Sequence, residues 1–126
     1  QGQLEEAINA YQTALQTHGL LGDRRQIVAS HWAIGNIAAR REDWLLAQEQ
    51  LDRAIATASD GIDCEDLLAL ALADLSTVHR QWGDDIEARR LLLQALAVGR
   101  EIALAQRWPE RWDAMLGQAR ELDLDA

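Results

Sequence analysis

The residue types able to do chemistry are few in this chain, and their spacing does not suit it. His18, His31 and His79 share no i, i+4 helix face, and none has a cysteine at zinc-ligand spacing. Cys64 is the single cysteine. One thiol cannot form an internal disulfide and fits a reducing compartment. Its neighbours Asp63, Glu65 and Asp66 oppose a thiolate, so a structural role is expected. His31 and His79 fall where the apolar pattern packs helix on helix, and a general base needs a positioned partner; both are read as structural. His18 ends a helix, where a cation is mildly favoured. There is no phosphate-cradling glycine loop and no nucleophile elbow. Carboxylates are plentiful, but an acid–base pair needs a cleft that drives two pKa values apart. The expectation is no catalytic residue, no metal, no cofactor and no enzymatic activity.

Binding is the remaining class of function, and the bulk properties narrow it. The chain has 126 residues, 48% hydrophobic and 26% charged, which is a soluble globular composition long enough for one domain. Twenty-one acids against 12 bases give a net charge of −9, which argues against a phosphate-backbone partner. All the basic residues are arginine, a composition associated with bacterial coding sequences. The pairs Arg24–Arg25, Arg40–Arg41 and Arg89–Arg90 lie near acids and are read as solvated faces with intrahelical ion pairs. No apolar run approaches the roughly 20 residues needed to span a bilayer, and no basic, apolar leader opens the sequence. No membrane partner and a cytoplasmic location are therefore expected. The start at Gln1 suggests a processed product or a piece of a longer protein.

Any binding surface must be carried by helices. Trp44, Ala47, Leu51, Ala54, Ile55 and Ala58 recur at spacings of three and four, strand-type alternation is absent, and β-branched residues are few. Asp23 with Gln26 and Asp84 with Glu87 have capping-box spacing; Asp63 with Asp66 and Asp43 alone are weaker starts. Pro109, the only proline, suits the first turn of a last helix. These signals predict six helices, at about 3–18, 24–41, 44–59, 64–81, 85–106 and 109–122, with neighbours antiparallel.

One pattern then recurs. Ala7, Tyr11 and Ala14 match Ala47, Leu51 and Ala54, and these match Ala88, Leu92 and Ala95, at shifts of 40 and 41 residues. Small residues let a neighbouring helix approach closely, and the large one fills the space between pairs. A helix pair repeating at this length cannot bury its apolar face alone, which predicts an all-α solenoid of antiparallel pairs.

The residues at the joints resemble the tetratricopeptide repeat, in a long-helix variant of about 40 residues. The second copy has Ile34-Gly35-Asn36 in its first helix, Glu42-Asp43-Trp44 at the turn and Ala47, Leu51, Ala54 in its second helix. The third has Leu75-Ser76, then Gly83-Asp84-Asp85, then Ala88, Leu92, Ala95; the first keeps Gly2-Gln3-Leu4, Ala7, Tyr11 and Ala14. Glu42, Ser76 and Asp85 depart from the family's turn glycine, mid-helix glycine and turn aromatic. The resemblance implies one domain: 1–22 the second helix of an incomplete repeat, 23–61 and 62–106 two repeats, and 107–126 a capping helix and tail.

What the resemblance implies about function is a non-catalytic protein- or peptide-binding scaffold, part of a larger bacterial regulator or adaptor. Its concave face would present Trp32, Asn36, Arg40, Asp74, Thr77 and Gln81. Asn36 resembles the family asparagine that hydrogen-bonds a peptide backbone as donor and acceptor. With lysine absent, a lysine–asparagine clamp for a chaperone C-terminus is not expected. Helix 3–18 has no preceding helix to cover Leu4, Ile8, Tyr11 and Leu15, and Trp108 and Trp112 lie one turn apart at the other end. Both ends are candidates for self-association, with a two-fold dimer the commonest closed form.

Overall fold

Helix formers fill the stretches between turn signals, and those stretches are helical in the computed structural model, which describes residues 2–21, 24–59 and 64–124. The side chains of residues 2–4, 15 and 17–21 are outside that description. Among the described residues there are seven helices and no strand: α1 (Gly2–Leu21), α2 (Arg24–Arg40), α3 (Trp44–Ser59), α4 (Glu65–Gln81), α5 (Asp85–Glu101), α6 (Leu104–Arg107) and α7 (Pro109–Glu121). Packing follows chain order: α2 lies along α3 and α4 along α5, α3 joins the two pairs, and α1 packs on α2.

The joints within each pair explain the register. After α2 the Asp43 N–H reaches back to the Ala38 carbonyl at 2.9 Å, and after α4 the Asp84 N–H reaches His79 in the same way at 2.9 Å. Each turn carries one left-handed residue just before the closing N–H, Glu42 at φ 61° and Gly83 at φ 78°. Glycine takes that conformation without cost, whereas Glu42 holds it under mild strain. Asp84 then caps α5 by accepting from the Glu87 N–H at 3.2 Å. Glu87 does not complete the capping box, because its carboxylate turns to Arg90 instead. Asp43 makes a longer contact of the same kind, 3.4 Å to the Leu46 N–H. Pro109 takes the first position of α7, as its missing donor predicts. Asp23 and Asp63 lie outside the described residues.

The recurring alanines sit where the helices touch. Ala47, Leu51, Ala54, Ala88, Leu92 and Ala95 are all fully buried. A Cβ on Gly35 would lie 2.8 Å from Leu51 Cγ and 3.4 Å from the Ala47 carbonyl, so glycine is what allows α2 and α3 this close. The equivalent position in the next pair is Ser76, 2% exposed, whose hydroxyl donates to the Ala88 carbonyl at 2.7 Å. That bond satisfies the hydroxyl in a place where bare polarity would be costly.

The helix expected at 85–106 is two. Ala103 adopts the left-handed conformation at φ 54°, ending α5 and starting α6. No glycine or proline marks the break. It turns Leu104 into the core, where it is fully buried and packs near Gly99 together with Trp112. Burial of Leu104 and the Trp112 ring outweighs the roughly 1–2 kcal/mol of a left-handed alanine.

The arginine pairs are also not what was expected. Arg90 does pair with Glu87 on its own helix. However, Arg25 forks onto Asp66 at 3.0 and 2.9 Å, Arg41 reaches Glu5 at 3.3 Å, and Arg89 Nε donates to the Leu122 carbonyl at 3.0 Å. These side chains tie neighbouring helices together, because the close packing of the pairs brings opposite charges within reach.

A candidate peptide-binding groove across three helices

The side chains pointing from α2, α4 and α7 toward one another are largely polar, and they converge on Asp74. Trp32 donates its ring N–H to Asp74 Oδ2 at 2.7 Å, and Asn36 Nδ2 donates to the same oxygen at 3.1 Å. Arg111 donates to Oδ1 at 2.6 Å, so both oxygens of this half-buried carboxylate are engaged. Arg111 Nε is buried without a hydrogen-bond partner. One turn along α4, Thr77 accepts from Gln118 Nε2 at 2.6 Å.

These groups edge a groove of about 420 Å³. Its floor is apolar, with Ala39, Trp44, Ala114 and Met115, and its walls carry Asn36, Arg40, Thr77 and Gln118. Arg40 has no ion-pair partner among the described residues, so Arg40 and Arg111 against Asp74 leave the groove locally cationic on an acidic chain. The arrangement can accept from and donate to an extended backbone through the Asn36 and Gln118 amides.

The register is regular. Asn36, Thr77 and Gln118 are spaced by 41 residues, as are Arg25, Asp66 and Arg107. Arg25 and Arg107 both face Asp66, at 2.9 and 3.6 Å, and the fork from Arg25 holds the Asp66 carboxyl below its ordinary pKa. The helix at the C-terminal end, α7, therefore continues the series begun by α2 and α4.

A family model described as the tetratricopeptide repeat matches residues 26–101. The chain belongs to the tetratricopeptide repeat family. No curated protein and no solved structure matches it. The matched span runs from the third residue of α2 to the end of α5, with α2 and α4 as the first helices of their repeats and α3 and α5 as the second.

Within this repeat frame the expected concave residues separate. Asn36, Arg40, Asp74 and Thr77 line the groove. Trp32 is half-buried against the core and tied to Asp74, and it does not line the groove. Gln81, the last residue of α4, is exposed and does not line the groove. Sequence reasoning missed Arg111, Gln118, Trp44 and Met115. Adding 41 to Thr77 would have found Gln118; nothing comparable announces Met115.

At the ends, Ile8 is only 8% exposed, so it packs inward on α1 and is not part of an open stripe. Tyr11 is 38% and Trp108 37% exposed. Trp112 is half-buried against Gly99. The side chains of Leu4 and Leu15 lie outside the described residues.

The histidines find structural partners or none. His31 Nδ1 hydrogen-bonds the Gln50 side-chain oxygen at 2.8 Å. His79 meets the Trp82 ring edge-on at 5.7 Å, and its Nδ1 stands 3.7 Å from Asp84 without a hydrogen bond. It borders a second hollow, of about 390 Å³, with Asp52, Glu87 and Arg90. Burial raises the Asp52 carboxyl, while the bond from Arg90 lowers Glu87. No hydroxyl or thiol lines this hollow. Cys64 is buried at the start of α4. Among the described residues no three His, Cys, Asp or Glu side chains are grouped to hold a metal, and no helix is long and apolar enough to cross a membrane. The side chain of His18 is outside the described residues.

Proposed function

We propose that the chain is a protein-interaction module whose groove takes an extended peptide, serving within a larger regulatory or adaptor protein. The observation that carries this is the alignment of Asn36, Thr77 and Gln118 at one register on three successive helices along a single groove. Repeating amide and hydroxyl groups suit a repeating backbone, and the floor of Trp44 and Met115 suits apolar side chains. With Arg40 in no ion pair among the described residues and the groove locally cationic, an acidic peptide is favoured, and its binding weakens with salt. Membership of a family of interaction modules supports binding over turnover.

The test is selection of a random peptide library on the immobilised chain, followed by titration of the enriched peptides. Asn36→Ala with Arg40→Ala should reduce their affinity at least tenfold while helicity is unchanged. Enriched peptides indifferent to both substitutions would overturn the groove assignment.

A second reading, association between copies, is favoured by the exposure of Tyr11 at a position fully buried in the other two repeats.

A further inference from the structure

The sides of α4 divide between two surfaces. Asp74 and Thr77 border the groove, while Leu68, Leu72, Leu75 and His79 line two hollows shared with α3 and α5. Asp74 follows Leu72 by two residues, and Thr77 follows Leu75 by two. Two residues are more than half a helical turn, so the hollows open on the side of α4 opposite the groove. Groove and hollows share no lining residue.

The hollows are one channel. The first, of about 390 Å³, contains His79, and the second has a volume of about 300 Å³. Ile55, Leu72 and Gln94 line both. From Gln48 to Ser59 the channel follows α3 for about 16 Å, the reach of about five extended residues. Both α3 and α5 pack on α4 in the middle of the fold.

Its two ends differ in chemistry. Leu68, Ala97 and Val98 complete the second hollow, which no charged side chain lines. The first holds two carboxylates, Asp52 and Glu87, against one guanidinium, Arg90. Arg90 is already spent on Glu87, with its Nε donating at 2.8 Å. Asp52 makes no hydrogen bond and no ion pair among the described residues. Partial burial raises its carboxyl pKa, against the opposing influence of His79, as for a carboxylate short of a cation. His79 Nδ1 is buried without a hydrogen-bond partner. The channel is thus anionic at one end and apolar at the other, whereas the groove on the far side of α4 is locally cationic.

We propose that this channel is a second docking site, for a short peptide segment that sets an arginine or lysine beside Asp52 and an aliphatic side chain between Ile55 and Val98. The incoming cation supplies the partner that Asp52 lacks, and the aliphatic group covers the apolar end. A basic segment is the complement of this face and the wrong partner for the groove, so charge alone sorts the two surfaces. The site does not depend on the groove reading, because the two have no residue in common.

The experiment screens a random peptide library on the Asn36→Ala, Arg40→Ala double variant, in which the groove is disabled. The enriched peptides are then titrated by fluorescence anisotropy on three variants of the full chain. Asp52→Arg reverses the charge at one end and Ala97→Gln fills the other; both positions are exposed. Asp113→Arg makes the same charge change at an exposed position that lines neither surface. Circular dichroism checks that each is folded. The expected peptides pair a basic with an aliphatic residue, and each channel substitution weakens them about tenfold or more, with Asp113→Arg without effect. Equal losses in Asp52→Arg and Asp113→Arg would mean attraction to the overall negative charge and would overturn the site. So would peptides indifferent to either channel substitution, peptides without a basic residue, or no enrichment on the double variant.

Discussion

Trp32 and Asp74, on the first helices of successive repeats, are joined by a 2.7 Å hydrogen bond from the indole N–H to the carboxylate. Through Asn36 and Arg111 the same carboxylate gathers α2, α4 and α7 into one wall. The groove is therefore shaped by the network that holds the repeats in register, and a change at the hub is felt by stability and binding together.

Replacing Asp74 with alanine should leave a partly buried guanidinium and an indole N–H without their partner. The expected loss is about 2 kcal/mol, the scale of stranding such groups. Urea unfolding followed by circular dichroism measures it. An unchanged midpoint would show that the network shapes the groove without supporting the fold.

Gly35 and Gly117 occupy the same register and should respond oppositely to alanine. At Gly35 the added methyl enters Leu51, which cannot retreat through a filled core, and overpacking of this kind costs about 1–3 kcal/mol. At Gly117 it enters open space on a helix, and alanine is favoured over glycine there by up to about 1 kcal/mol. Thermal unfolding at low concentration, below any self-association, compares the two. Equal effects would refute the contrast between a filled and an open seat.

Acid should act through Asp66, whose carboxyl the Arg25 fork holds below its ordinary pKa, with Arg107 adding to the effect. A folded-state pKa below the unfolded one means that the folded state binds fewer protons. The stabilisation is thus fully present above the ordinary aspartate pKa of about 3.9 and fades as pH falls through the lowered folded value. Between about pH 5 and pH 2 the wild-type urea midpoint should fall more steeply than that of Asp66→Asn. Parallel curves would remove Asp66 from the acid response.

The helices and their pairing were legible because the signals are local. A stripe at spacings of three and four fixes the helix face, and alanines at shifts of 40 and 41 fix where faces meet. Asp84 and Pro109 act within one turn of their own positions. The break at Ala103 was not legible: no breaker residue stands there, and the cause is Leu104 and Trp112 closing on Gly99 from farther along the chain.

The groove divides in the same way. Asn36, Arg40, Asp74 and Thr77 could be expected on one face because the repeat resemblance implies which sides of α2 and α4 line a groove. That Trp32 spends its N–H on Asp74, that Arg111 claims the other oxygen, and that α7 supplies a third wall depend on partners 37 to 42 residues away. The sequence by itself determined the repeat and the register, since both follow from spacing along the chain. Only the tertiary structure decided which side chains meet across helices, because that choice is made by packing distance and by the need to satisfy each buried polar group.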